Sequence, residues 1–187
     1  MRVVPAFWGF DPAPISPHYK TGLIICGFPG IGKSELADQP LLVPDYRIIE
    51  LDSAGFFSFH GSANFVAEYC KALKEACQRN TIVLASTHDE VLDQLSLQPL
   101  PIVLLHPRWW EKDQWIARLQ SRGASDALVN LVQNDWYTLM DNFTRFTNFF
   151  AYSIASDANL LQIIEEMVTG ILDHLEVLGR EIGAEGG

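Results

Sequence analysis

The chain has 187 residues, 48% of them hydrophobic and 19% charged, and its 13 lysines and arginines against 23 aspartates and glutamates leave a formal net charge of -10. This is the length of one domain with a sizeable core, and so high an apolar content excludes disorder except at the ends. The acidic balance excludes a broad grip on nucleic acid or an anionic membrane, which draws its free energy from many Lys and Arg contacts to phosphate, while leaving room for a small anion site.

Residues 1–20 carry Pro5, Pro12, Pro14 and Pro17 together with Phe7, Trp8 and Phe10, the composition of an irregular arm that packs aromatics onto the domain. This stretch lacks the apolar core of a signal peptide. Apolar runs such as Gly22 to Gly27 are strand-length, far short of the roughly 20 residues of a membrane span. A cytoplasmic protein with no membrane contact is expected. Cys26, Cys70 and Cys77 show neither CxxC spacing nor a nearby histidine pair, so they read as reduced thiols rather than zinc ligands or disulfides.

Beyond the arm, short β-branched apolar runs alternate with helical spacing. Strands are predicted at Leu23 to Cys26, Arg47 to Leu51, Ile82 to Ser86, Ile102 to Leu105 and Phe149 to Ser153. Helices are predicted from Lys33, then over Ala63 to Arg79, Asp89 to Leu95, Trp109 to Arg122, Asp126 to Asn142 and Asp157 to Leu178, with Ser125 and Asp157 as N-caps. Continuous apolar strands separated by helices make a parallel sheet covered on both faces, an α/β domain over 21–180 followed by a flexible tail at 181–187.

The strongest signal is Gly27-Phe28-Pro29-Gly30-Ile31-Gly32-Lys33-Ser34, a GxxxxGKS sequence directly after the first apolar strand. Glycines let such a loop curl with its N–H groups inward around phosphate oxygens, Lys33 reaches the β and γ phosphates, and Ser34 can coordinate Mg2+. Phosphate groups and Mg2+ are expected to be held by Gly27, Pro29, Gly30, Ile31, Gly32, Lys33 and Ser34.

This loop and the elements after it resemble the P-loop kinases of small molecules and nucleotides: the nucleoside monophosphate, shikimate, gluconate and polynucleotide kinases. The resemblance implies a P-loop NTPase three-layer sandwich with a five-stranded parallel sheet of order 2-3-1-4-5. It also implies an ATP site over the loop, an acceptor site beside it and a helical lid. A proline-containing loop, and the lack of any Asn-Lys-x-Asp sequence, set the chain apart from GTPases.

The second predicted strand ends in Glu50-Leu51-Asp52-Ser53, read as the C-terminal edge of a strand next to the loop strand, where ligands of a parallel sheet collect. The resemblance makes Asp52 the residue that holds the acceptor hydroxyl or the metal shell, with a role as general base; the alternative is a helix or turn cap. The aromatic run Gly55 to His60 reads as a connection that either walls a flat ring or covers the core. At the end of the third strand a P-loop ATPase usually carries an acid for Mg2+, and here that position is Ser86 or Thr87; Ser86 and His88 are candidate substrate contacts, with a plain helix start as the alternative for His88.

Arg118 and Arg122 lie four apart on one helix face before Gly123. The resemblance assigns such a pair to neutralising the transferring phosphoryl group, against a solvated helix end that favours cations anyway. Arg108 is a third candidate. Trp115 and Trp136 follow core periodicity with Leu119 and Met140. The reading is a phosphotransferase acting on a small molecule, a nucleotide or nucleoside, with catalytic Lys33, Asp52, Arg118 and Arg122. A kinase of nucleic-acid ends and a non-catalytic ATP-binding module are the alternatives.

Overall fold

The computed structural model describes residues 22–37, 46–78 and 80–167. The proline-rich arm, the tail, both predicted domain boundaries and the last predicted helix beyond residue 167 lie outside the described residues.

Five strands, β1 (Leu23–Gly27), β2 (Arg47–Leu51), β3 (Thr81–Ser86), β4 (Ile102–Pro107) and β5 (Phe150–Ile154), form one sheet. Its order is β2-β3-β1-β4-β5 with every neighbouring pair parallel, the arrangement that the P-loop resemblance implied. Burial explains the order: β1 and the interior of β3 are apolar and their Ile24, Ile25, Ile82, Val83 and Leu84 have no exposed surface, so they take the middle, where both faces are covered. At the edges, β2 and β5 leave most of their residues partly or fully exposed. Because β3 separates them, β2 is not the neighbour of β1 that an acceptor strand beside the loop strand would be. Asp52 reaches the loop region by extending past the end of the sheet.

The helices are α1 (Lys33–Ala37), α2 (Ser53–Ala76), α3 (Asp89–Ser96), α4 (Lys112–Ser121) and α5 (Asp126–Thr144), and a further helical stretch occupies residues 160–167. Trp115 on α4 and Trp136 on α5 are fully buried, as their periodicity predicts, whereas Trp109 and Trp110 in the turn before α4 are exposed. Cys26, Cys70 and Cys77 are free and buried. Burial pushes the Cys26 thiol up to about 12 and the other two to about 11, which keeps all three protonated and unreactive. Among the described residues no helix is long and apolar enough to cross a membrane.

Three sequence expectations are corrected. The helix expected from Ala63 starts ten residues earlier, at Ser53, because the Asp52 carboxylate accepts the Ala54 N–H at 3.1 Å and nucleates the first turn; the aromatic run from Gly55 is therefore helical, not a connection. It is not a straight helix, since the Phe56 and Tyr69 rings lie 5.1 Å apart where thirteen residues of straight helix would separate them by roughly 20 Å. The intervening Gly61-Ser62 pair is of the kind at which helices bend.

The helix expected from Trp109 starts at Lys112. Its N-cap Glu111 is drawn elsewhere, accepting the Ser156 N–H at 2.6 Å and pairing with Arg108 at 3.4 Å. The last helix is capped by Asn159 rather than Asp157: its Oδ1 accepts the N–H groups of Leu161 and Gln162 at 2.9 and 3.4 Å. Ser125 caps α5 as expected, accepting the Leu128 N–H.

Candidate active site

The loop between β1 and α1 is shaped by two glycines with positive φ, Gly30 at 83° and Gly32 at 107°, values that L-residues with a Cβ rarely adopt. At Gly30 a Cβ would also lie 2.5 Å from Leu119 Cδ2. Phe28 and Ile31 point their side chains into the core, essentially without exposure, so they anchor the loop and leave its backbone to face the cleft.

What happens to the loop's carbonyls is informative. Trp115 Nε1 donates to Pro29 O at 3.0 Å, Arg122 to Gly30 O at 2.9 Å and Arg118 to Ile31 O at 3.4 Å. Lys33 Nζ donates to Gly27 O at 2.7 Å. The oxygens of four loop residues are thus taken up by α4, its C-cap and the lysine. An anion entering the loop meets neutralised carbonyls and the N–H groups that such a turn presents.

Arg118 and Arg122 converge as the sequence reading expects. Their guanidinium nitrogens come within 4 Å of the point where a Cβ on Gly32 would sit. Arg118 also donates to Ser156 O and lies over the Trp115 ring at 5.3 Å. Burial, then the charge of Arg122, lowers the Arg118 pKa, a strain that an arriving anion relieves. Arg122 forms an ion pair with Glu35 in the first turn of α1. Arg108 is not brought to the loop and pairs with Glu111 instead.

A cleft of about 300 Å³ opens over the loop. It is lined by Gly30, Gly32, Lys33 and Ser34 of the loop and the start of α1, by Glu50, Asp52 and Ser86 at the ends of β2 and β3, by Arg122, and by the apolar Leu119, Ala124 and Leu128. Asp52 caps α2 with one oxygen, the alternative weighed for it, and it also lines the cleft. One cap bond uses one of about four lone-pair sites on a carboxylate. His88 stands at the N-cap of α3, the helix start weighed as its alternative. Its Nε2 shares a hydrogen bond with Ser53 Oγ at 2.9 Å and its ring meets the edge of Phe65 at 5.2 Å, so it steadies the start of α2 and is not among the cleft-lining residues.

Two residues escaped the sequence reading. Glu50 accepts the Ser34 hydroxyl at 3.1 Å and stands two positions before Asp52, on the same side of β2; the period of two along a strand was the available signal. Tyr69, fully buried on α2, donates its hydroxyl to Leu51 O at 2.7 Å and accepts the Ser86 N–H at 3.1 Å. It links the ends of β2 and β3 where Asp52 and Ser86 sit, and nothing in its spacing distinguishes it from an ordinary core aromatic.

The residues present fit a nucleotide with Mg2+. The loop offers an anion cradle, and Ser34 with Glu50 offers oxygen donors at its edge. Mg2+ keeps several waters and shares substrate phosphates, so it needs few protein donors.

Burial lowers the Lys33 pKa to about 8, against the raising effect of Glu50 first and then of Cys26 and Asp52. Phosphate binding needs the ammonium form, so ATP affinity is expected to hold below pH 8 and to fall as pH rises through it, by up to about tenfold per unit. Calorimetric titration of ATP between about pH 7 and 9.5 reads this directly, and a flat profile contradicts it. A second expectation concerns Glu35, which competes with phosphate for Arg122. Glu35→Gln is expected to tighten inorganic tripolyphosphate binding by about two- to fivefold, the scale of an exposed ion pair, and weaker binding to the variant contradicts it.

The sheet order and the loop geometry give the chain the α/β fold of the P-loop kinases. Among solved structures it is similar to a shikimate kinase from Bacteroides thetaiotaomicron, with a TM-score of 0.54 and 14% identity over 81% of this chain and 97% of that one. It is equally similar to a gluconokinase from Sinorhizobium meliloti 1021, with a TM-score of 0.54 and 15% identity over 87% of this chain and 98% of that one. At such identities the likeness is one of fold. No family model matches the chain, and neither does any curated protein sequence.

Proposed function

We propose that the protein is a P-loop kinase that transfers the γ-phosphoryl group of ATP to a hydroxyl of a small molecule. One observation carries the reading: a phosphate-cradling loop with Lys33 shares a cleft with the Asp52 carboxylate and the Ser86 side chain at the ends of β2 and β3. The relatives in fold are named for kinases of shikimate and gluconate, which supports phosphotransferase chemistry at the same place.

In this reading the loop N–H groups and Lys33 bind and align the β and γ phosphates. Ser34 and Glu50 would hold Mg2+, whose charge would neutralise the phosphates. Asp52 accepts the proton of the acceptor hydroxyl as that oxygen forms its bond to the γ-phosphorus and the bond to the β–γ bridging oxygen breaks, with ADP taking the electron pair. Ser86 orients the acceptor. Arg118 and Arg122, already at the loop, stabilise charge on the phosphoryl oxygens.

The test is a transfer screen with labelled ATP against nucleosides, nucleoside monophosphates, polyols and 5′-hydroxyl oligonucleotides, with Lys33→Ala as control. Transfer to a small hydroxyl compound that disappears in Lys33→Ala supports the reading. Tight ATP binding without transfer to any acceptor replaces it with a nucleotide-binding regulatory module.

A further inference from the structure

We infer that Tyr69 and His88 are positioning residues for Asp52, gripping the two residues that flank it in the chain, and that Tyr69 also sets the spacing between Asp52 and Ser86; this rests on the kinase reading above. Asp52 stands one residue past the end of the ladder between β2 and β3, whose last pair is Leu51 with Ala85, and one residue before α2. The ladder no longer holds it there. Where its carboxylate points depends on how residues 51 and 53 are held.

Both are held by side chains remote in sequence. Leu51 O accepts the Tyr69 hydroxyl at 2.7 Å. On the other flank the buried Ser53 hydroxyl lies 2.9 Å from His88 Nε2 at the start of α3. The two anchors meet at Phe65, which stacks on Tyr69 with ring centroids 5.5 Å apart and lies nearly perpendicular to the His88 ring at 5.2 Å. The Tyr69 hydroxyl donates to Leu51 and accepts the Ser86 N–H at 3.1 Å, using the donor and an acceptor site of one phenol. Burial pushes the Tyr69 phenol up, so the proton that bonds Leu51 stays in place.

Neither Tyr69 nor His88 is among the cleft-lining residues, so each acts through Asp52 or Ser86 and not on the acceptor itself. A reacting group misplaced by about 1 Å loses on the order of 10²-fold in rate. Losing one of these bonds is therefore expected to reach turnover before it reaches the nucleotide.

Two variants isolate the bonds. Tyr69→Phe deletes one oxygen and keeps the ring on Phe65, and Ser53→Ala deletes the bond to His88 and keeps the imidazole. With the acceptor found in the transfer screen, each is expected to lower the single-turnover rate about 10- to 100-fold and to leave calorimetric ATP affinity unchanged. In an Asp52→Asn background the same substitutions are expected to cost nothing further, because residues that act as a unit are not additive. Losses that multiply in the double variants, or ATP affinity that falls with the rate, overturn the inference and leave Tyr69 and Ser53 as supports of the fold. Full transfer by Asp52→Asn overturns it too, while the transfer itself still upholds a kinase. If no acceptor is phosphorylated, the kinase reading falls, and amide hydrogen exchange at Ala54, whose N–H the Asp52 carboxylate accepts at 3.1 Å, decides whether Asp52 is held. Exchange about fivefold faster in both variants, the scale of a lost cap, upholds the grip on Asp52, and parent-like exchange in either overturns it.

Discussion

Lys33→Ala is expected to abolish measurable phosphoryl transfer while leaving the fold standing. The ammonium lies at the head of the loop, 2.7 Å from Gly27 O, with no other side-chain cation reaching that carbonyl among the described residues. A hydrogen bond to a charged group contributes about 1.5–3 kcal/mol, so ATP affinity is expected to fall by roughly ten- to a hundredfold. Loss of a charge aimed at the reacting phosphate costs a further factor of about 10² to 10³ in turnover. Stability moves the other way. The lysine's charged form is disfavoured by burial, so removing it relieves a desolvation cost and the melting temperature is expected to stay level or rise slightly. Calorimetry for ATP, a labelled transfer assay and a thermal melt together check this. A variant that melts far below the parent would show that Lys33 holds the loop up rather than serving its ligand.

Trp115→Ala is expected to bring the largest loss of stability and to damage the loop at a distance. The ring has no exposed surface, packs edge-on to Phe28 at 6.0 Å and donates to Pro29 O at 3.0 Å. Truncating a buried tryptophan costs about 3–5 kcal/mol, which for a domain of this size lowers the melting temperature by around 10 °C. The Pro29 carbonyl is then left without its donor and Arg118 without the ring beneath it. Trp115→Phe separates the two effects. It keeps most of the packing but loses the Pro29 bond, so ATP affinity is expected to drop with only a modest change in melting temperature. Normal ATP binding by Trp115→Phe would show that α4 merely covers the loop.

Much of this fold was legible because its signals are short-range. The GxxxxGKS spacing fixes a loop between a strand and a helix, and continuous apolar runs marked all five strands within two residues. The sheet order came from resemblance, since nothing in the residues themselves says which strand sits beside which. The beginning of α2 was misplaced because Gly55 and the aromatics after it look like a connection, whereas a single capping carboxylate and contacts to Tyr69 decide otherwise. In the site, Lys33, Arg118 and Arg122 were readable from spacing and resemblance. His88 was not, because its use depends on Ser53, which is distant in sequence and close only after folding.

The Tyr69 hydroxyl between Leu51 and Ser86 has a mechanical corollary. A phenol whose ring is stacked on Phe65 and locked in the core ties both strand ends to the least compliant part of the molecule, so the side of the cleft carrying Asp52 behaves as a fixed jaw. The segment that brings Ala124 and Leu128 to the same cleft, from Gly123 at φ 70° to the break in α5 at Asp135, is bounded by two points where the backbone leaves helical geometry. Any closing stroke over this cleft is therefore expected to be asymmetric: the segment between the two breaks would travel, and the side carrying Asp52 would stay where folding put it.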